Sequence, residues 1–316
     1  PGDTLDASAA MDELAMAIVV QTLLGADIER EAAPLAADLR LLSRWLPLLA
    51  APMARRLERA GLPPFQRAGR AADRIVAAIQ RRLDEATPAR DRDLLSLLLR
   101  PGADGSPMPR HLARDEAMTL FLAGHDTTAA ALTWTWYLLA THPEVDRRVQ
   151  RELHDVLGNR DPVPDDWHRL VYIGMVLEEA LRLYPPVGRI GRRPVADYRL
   201  GPRRIPAGAA VFLSPFVTQR DPRWWPEPDR FDPGRWTEEA RIGRPRHAAF
   251  PFGAGPRSCI GGHMARMIGI LAIATIARRW RLRYPPGPSP RIRSLLTLKP
   301  ASPLRLVLER RAPAAD

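Results

Sequence analysis

Proline is spread unevenly along this chain, and its spacing limits the fold more than any other feature. Residues 1–184 hold 13 of the 33 prolines, and residues 185–316 hold 20 although that part is shorter. Proline lacks a backbone N–H and its ring clashes with the preceding helical turn, so closely spaced prolines forbid long helices. The first part can therefore be helical. The second must be short strands, turns and loops, except over 259–280, where no proline occurs. Apolar spacing predicts helices near 4–25, 28–50, 65–86 and 92–100. A longer one is predicted at about 111–141, with Asp115 and Glu116 in its first turn and His142-Pro143 closing it. Two more are predicted near 143–157 and 170–184, the latter ending at Pro185-Pro186.

Residues 193–214 alternate like a small sheet, with a turn at Pro206-Ala207-Gly208. From Asp221 to Pro251, proline, tryptophan and arginine mix without periodicity, which predicts a long ordered loop held by its side chains. A last helix is expected from about Cys259 to Trp280, followed by two or three strands near 281–310. The expected fold is mainly α with small β-sheets, one domain over 1–316. No internal repeat is present, and the segment 51–64 is a candidate lid between two helices.

Composition narrows the function classes. With 46% hydrophobic and 26% charged residues, the chain is neither disordered nor collagen-like. A single cysteine, Cys259, excludes an intramolecular disulfide and a cysteine-cluster metal site, and makes a reducing cytoplasm the natural compartment. The net charge is +11, and Lys299 is the only lysine, so 46 of the 47 basic residues are arginine. They are scattered rather than gathered into a stripe with exposed aromatics, so nucleic acid is not an expected partner. No membrane anchor is expected either. The apolar run 14–25 is short and lacks a basic leader, and His125, Asp126, Thr127 and Thr128 interrupt the run 117–140. The first residue is proline rather than methionine, which suggests a fragment or an incomplete reading frame.

The sharpest motif is Phe252-Gly253-Ala254-Gly255-Pro256-Arg257-Ser258-Cys259-Ile260-Gly261. Two glycines and a proline set a tight loop, and the cysteine is expected at the start of a helix. There the helix dipole and free N–H groups favour thiolate. A lone cysteine is more often a small buried hydrophobe. As a thiolate it is either a nucleophile, with His263 four residues on as candidate base, or a metal ligand. Glu179 and Arg182, at i and i+3, share one helix face, which alone suggests a surface ion pair. Ala123-Gly124-His125-Asp126-Thr127-Thr128 puts glycine and threonines inside a helix, where they are unfavourable. Thr127 can bond back to the Ala123 carbonyl and open the helix, and Gly124 can let the backbone approach a ligand. No His-Glu-x-x-His pattern supports a zinc hydrolase, and no Gly-rich phosphate loop follows a strand.

The pattern Phe-x-x-Gly-x-Arg-x-Cys-x-Gly resembles the haem-ligand loop of the cytochrome P-450 monooxygenases. Glu179-x-x-Arg182, Pro228-Asp229-Arg230-Phe231 and the 123–128 motif follow the same family. The resemblance implies haem b bound by Cys259 as the axial iron ligand, with Phe252, Gly253, Gly255, Gly261, Ala123, Gly124, Arg257 and Arg192 around it, the two arginines on the propionates. It implies Asp126 and Thr127 as the acid and hydroxyl of a proton relay. Glu179, Arg182 and Arg230 become a buried ion-pair trio that supports the loop. Leu120, Phe121, Val187, Gly188, Ile190, Leu295 and Leu296 become the lining of a substrate pocket. The implied activity is monooxygenation of a hydrophobic small molecule by O2, with electrons from a separate ferredoxin or flavodoxin met by Arg147, Arg148, Arg151 and Arg266. Residue 1 corresponds to a point inside a typical member, so a truncated pseudoenzyme and a non-catalytic haem binder stay open as alternatives.

Overall fold

The computed structural model describes residues 3–25, 34–35, 37–42, 45, 62–86, 93–102 and 105–311. It is mainly helical with small antiparallel sheets, as the proline spacing requires. Its residues fall into two compact units, 9–129 and 1–8 with 130–316. The proline boundary at 184 is thus a change of element type, not of packing unit.

In the unit 9–129, helix α1 (Ala7–Leu24) contributes all but its first two residues, α2 is Pro63–Glu85 and α3 is Leu94–Leu98. Helix α4 (Arg110–Thr141) contributes its residues up to Ala129. Two prolines open α2, where their missing N–H groups cost nothing. Asp93 caps α3 by accepting from Ser96 N at 2.8 Å. The core joins Val20, Leu39, Ile75, Ile79 and Phe121, all fully buried. Phe121, expected to line a substrate pocket, is therefore a core residue, and Leu120 packs partly buried against the same cluster. Residues 37–42 are helical, but most of the helix predicted at 28–50 and the candidate lid up to residue 61 lie outside the described residues.

The first residues depart from expectation. Thr4–Asp6 form strand β1, not helix, because they pair antiparallel with the last strand, Thr4 opposite Val307. Asp6 then caps α1, accepting from Ser8 N at 3.0 Å. Helix α4 starts at Arg110, so Asp115 and Glu116 lie beyond its first turn. Arg110 donates to Leu83 O at 2.5 Å and so ties that start to α2.

The other unit is built on α5 (Pro143–Leu157), α6 (Val171–Leu183) and α9 (Gly262–Arg279). Glu152 of α5 accepts from Tyr172 N at 2.6 Å and Ile173 N at 2.9 Å, satisfying orphan donors of the first turn of α6. A 3-10 turn, Pro164–His168, joins α5 to α6. Strands β2 (Ile190–Arg192) and β5 (Val211–Leu213) pair, as do β3 (Tyr198–Leu200) and β4 (Arg203–Ile205). Gly208, at φ +77°, makes the expected turn, which leads from β4 to β5, while Gly201, at φ +56°, makes the turn of the β3–β4 hairpin. Helix α7 (Pro215–Thr218) is a single turn that precedes the predicted loop, and α8 (Glu238–Arg241) is a single turn inside it. Strands β6 (Trp280–Arg283) and β9 (Arg305–Arg310) join β1 in the order β1-β9-β6, and β7 (Ile292–Ser294) pairs with β8 (Leu298–Pro300).

Candidate functional site

The motif loop 252–261 is a chain of local backbone bonds. Gly253 N donates to Phe250 O at 2.9 Å, Ser258 N to Gly255 O at 3.0 Å and Cys259 N to Phe252 O at 2.8 Å. Gly253 and Gly255 both sit at φ +72°, which a side chain would strain. The loop thus turns back on itself and leaves the Cys259 thiol exposed. A Cβ on Gly261 would lie 3.9 Å from Cys259 Sγ. Helix α9 starts at Gly262 with Gly261 as its cap, so Cys259 precedes the helix rather than beginning it. Among the described residues no hydrogen bond joins His263 to the thiol. Its ring stands edge-on to Trp167, with centroids 4.8 Å apart.

The loop rests on a buried polar centre. Arg182 donates to Glu179 through Nε and Nη2, both at 2.8 Å, and neither residue has accessible surface. Its remaining N–H groups reach Gln219 O at 2.9 Å, Pro228 O at 2.6 Å and Arg230 O at 3.0 Å. Glu179 also accepts from Trp236 Nε1 at 2.9 Å and Asp232 N at 3.1 Å. Arg230 is not the third charge of this centre. Only its carbonyl takes part, while its exposed guanidinium pairs with Glu227 at 2.9 Å. The third charge is Arg235, whose Nε lies 3.4 Å from Glu179 with its side chain 11% exposed.

Gln219 is a part that the motifs do not name. Fully buried, it donates to Leu181 O and Arg182 O at 3.0 Å, and accepts from Phe250 N at 2.8 Å. It thus links the C-terminal carbonyls of α6 to the entry of the thiol loop. Trp225 does the same for the loop 221–251, donating to Ala248 O at 3.2 Å from a fully buried position. A tryptophan in an aperiodic stretch is a signal for such an anchor, whereas a glutamine carries none.

Strand β2 runs beside the loop: a Cβ on Gly253 would come within 3.8 Å of Ile190 Cδ1. Arg192 and Arg257 are both exposed, and among the described residues no carboxylate pairs with either. A Cβ on Gly188 would lie 2.9 Å from Leu298, so the segment of Val187, Gly188 and Ile190 packs beside the β7–β8 hairpin. That hairpin carries Leu295 and Leu296 at its tip, 55% and 48% exposed.

In the unit 9–129, Thr127 Oγ1 donates to Ala123 O at 2.7 Å, as expected. The helix nevertheless continues unbroken from Arg110 to Thr141, because a threonine can make this bond without displacing the backbone. Glycine at 124 also serves the packing of the unit, because a Cβ there would lie 3.1 Å from Val19 Cγ2 of α1. Asp126 is buried beside His125, whose Nε2 lies 3.1 Å from Asp12 O. Ligating atoms of Asp12, His125 and Asp126 all lie within 4.8 Å of one another.

A family model described as cytochrome P450 matches residues 2–307. The chain belongs to the cytochrome P450 family. Cyclooctatin synthase of Streptomyces melanosporofaciens is 42% identical to it over 243 residues, 75% of this chain and 53% of that protein. Cyclooctat-9-en-7-ol 5-monooxygenase of the same organism is 36% identical over 296 residues, 91% of this chain and 64% of that one. The heme domain of cytochrome P450DA aligns with a TM-score of 0.88 at 26% identity, covering 99% of this chain and 69% of that one. The chain thus spans about half to two thirds of the length of these relatives. Haem b is the cofactor that a cytochrome P450 fold implies, and the residues fit it. An exposed thiol supplies a soft ligand, glycines keep the adjoining backbone free of side chains, and Arg192 and Arg257 are cations with no acidic partner among the described residues.

Proposed function

We propose that this chain carries the catalytic machinery of a haem-thiolate monooxygenase acting on a hydrophobic small molecule. The observation that carries the reading is the exposed Cys259 thiol on a loop of positive-φ glycines, anchored through Gln219 to the buried Glu179–Arg182 pair. When bound, thiolate-ligated haem iron activates O2 with two electrons, so that one oxygen atom enters the substrate and the other leaves as water.

The chain's own residues have distinct tasks in this reading. Cys259 holds the iron, and Phe252, Gly253, Gly255 and Gly261 shape the loop around its sulfur. Arg192 and Arg257 bind the haem carboxylates as cations. Thr127 donates a hydrogen bond to Ala123 O, which leaves the hydroxyl oxygen's lone pairs free to accept a hydrogen bond from a neighbouring donor. Asp126 is the acid of the relay. Val187, Ile190, Leu295 and Leu296 supply apolar surface to the substrate. Two relatives are named for acting on cyclooctat-9-en-7-ol and forming cyclooctatin, which supports a terpenoid-like substrate. Electrons come from a separate ferredoxin or flavodoxin. Among the described residues no helix is long and apolar enough to cross a membrane, and the single cysteine suits a cytoplasmic setting.

The deciding experiment is the carbon monoxide difference spectrum of the haem-reconstituted, dithionite-reduced chain. The strongly red-shifted Soret band of thiolate ligation, absent in Cys259→Ala, is the expected result. A band of neutral-thiol or histidine ligation, or no retained haem, would refute the reading and leave a non-catalytic chain.

A further inference from the structure

Between β2 and β5 the chain runs out into a hairpin arm with almost no cover. Strands β3 and β4 pair only with each other, and every residue from 195 to 208 except Ile205 is exposed. The arm is tied at its base, where Gly208 N donates to Pro194 O at 2.8 Å and Ala207 N to the Asp197 carboxylate at 2.9 Å. A lone two-stranded hairpin is marginal in water, so an arm of this kind gains from a surface that covers it.

The polarity of the arm is layered. Its tip carries no charge: Leu200 is 59% exposed, and the turn adds Gly201 and Pro202. Directly behind the tip come Arg199, Arg203 and Arg204. The register sets Leu200 opposite Arg203 and Arg199 opposite Arg204, and cross-strand partners share a face. Arg203 is therefore on one face, and Arg199 with Arg204 on the other. Tyr198, opposite Ile205 and 56% exposed, follows on the Arg203 face, and Val195 stands fully exposed near the base. The only acid of the arm, Asp197, pairs with Arg204. Arg199 and Arg203 have no acidic partner among the described residues. Like charges opposite each other across a strand pair repel, and a nearby anion relieves that repulsion.

Both faces of the arm thus present an apolar tip with cations one step behind it. A protein partner would need a socket fitted to each face. A planar anionic interface meets both faces alike, because the tip and the tyrosine ring enter the acyl boundary while the guanidinium groups reach the headgroup phosphates. We propose that the arm 195–208 is a peripheral docking element that enters an anionic lipid surface tip first. Docking of this kind needs no spanning helix, and none is found among the described residues. The arm leaves the chain just after Arg192, the last residue of β2, and so brings that strand toward the lipid.

The test puts the full chain with vesicles of phosphatidylglycerol or of phosphatidylcholine. Binding is read by co-sedimentation, and the site by hydrogen exchange of backbone amides. At low salt the chain should bind phosphatidylglycerol at least about tenfold more tightly than phosphatidylcholine, and exchange across 198–205 should slow on the anionic vesicles. Arg199→Glu/Arg203→Glu should weaken that binding by at least about tenfold, and Leu200→Ser by at least about threefold. Arg147→Glu/Arg151→Glu removes the same charge from α5 and should weaken it less. All five side chains are exposed, and far-ultraviolet circular dichroism checks the variants. The exchange pattern of the parent decides without any variant. Equal binding to the two lipids, unchanged exchange across the arm, or a control as damaging as the arm reversal would overturn the proposal. Sensitivity to the arm reversal with indifference to Leu200→Ser would mean a plain cationic patch suited to an acidic protein, and would overturn the lipid assignment.

Discussion

Arg182 spends all five of its N–H groups inside the protein, two on Glu179 and three on the carbonyls of Gln219, Pro228 and Arg230. Removing one partner of such a pair strands the other charge in a medium that cannot solvate it. Arg182→Ala should therefore cost about 3–5 kcal/mol, a large share of the stability of an ordinary domain. The two candidate third arginines separate cleanly. Arg230→Ala removes an exposed pair with Glu227 and should cost under about 0.5 kcal/mol, whereas Arg235→Ala removes a nearly buried contact to Glu179 and should cost about 1–2 kcal/mol. Urea midpoints for the three variants check the order, and a larger loss for Arg230→Ala than for Arg235→Ala would contradict it. At this scale the pair itself was legible, since i, i+3 spacing places both charges on one face. Which later arginine turns inward was not. Arg230 and Arg235 differ only in how the loop 221–251 folds, and no periodicity describes that loop.

Helix lengths were legible where the apolar repeat ran unbroken: the expected 143–157 is the observed α5. Element ends were not, where a distant partner decides them. Thr4–Asp6 left the helix for a ladder with β9, a pairing about three hundred residues away in sequence. The 3-10 turn Pro164–His168 gives a test at this scale, because one carboxylate organises it. Asp166 is buried and accepts from Arg160 through two bonds of 2.6 Å, from Arg169 at 3.2 Å and from Val163 N at 2.8 Å. The hydrogen bonds from Arg160, more than any other cause, hold its pKa well below the usual carboxylate range. A depressed folded pKa means stability that is fully present above the unfolded value of about 3.9 and is lost as pH falls below it. Asp166→Asn should thus lower the urea midpoint at pH 7, with the gap to the parent narrowing from about pH 4 downward. A gap that is constant between pH 7 and pH 3.5 would mean that the turn gains nothing from the charge. The same turn carries Trp167, which meets His263 at the start of α9, so its loosening should reach the helix that follows the thiol loop.

For the whole molecule the dominant property is charge: +11 overall, almost all of it arginine. Composition made this visible but could not say which arginines are spent on neighbours. Arg266, counted by resemblance among the donor-facing residues, is neutralised by Glu178 and stacked on Phe252. Arg147, Arg148 and Arg151 differ. Their positions on α5 turn them outward while Val145, Val149 and Leu153 are buried, and Arg148 uses only its flat face, over Tyr172 at 4.2 Å. Unspent cations on one helix face raise the encounter rate with an acidic protein, and salt screens that effect over a Debye length of about 8 Å at 0.15 M. If the proposed electron donor is an acidic ferredoxin, reduction of the haem-loaded chain should slow as ionic strength rises. The double reversal Arg147→Glu/Arg151→Glu should slow it by about tenfold at low salt, and the two proteins should converge near 1 M, where the Debye length is about 3 Å. Stopped-flow reduction across that salt range measures both effects. Convergence is the discriminating result, because a reversal that damaged the fold or the haem site would keep its deficit at every ionic strength.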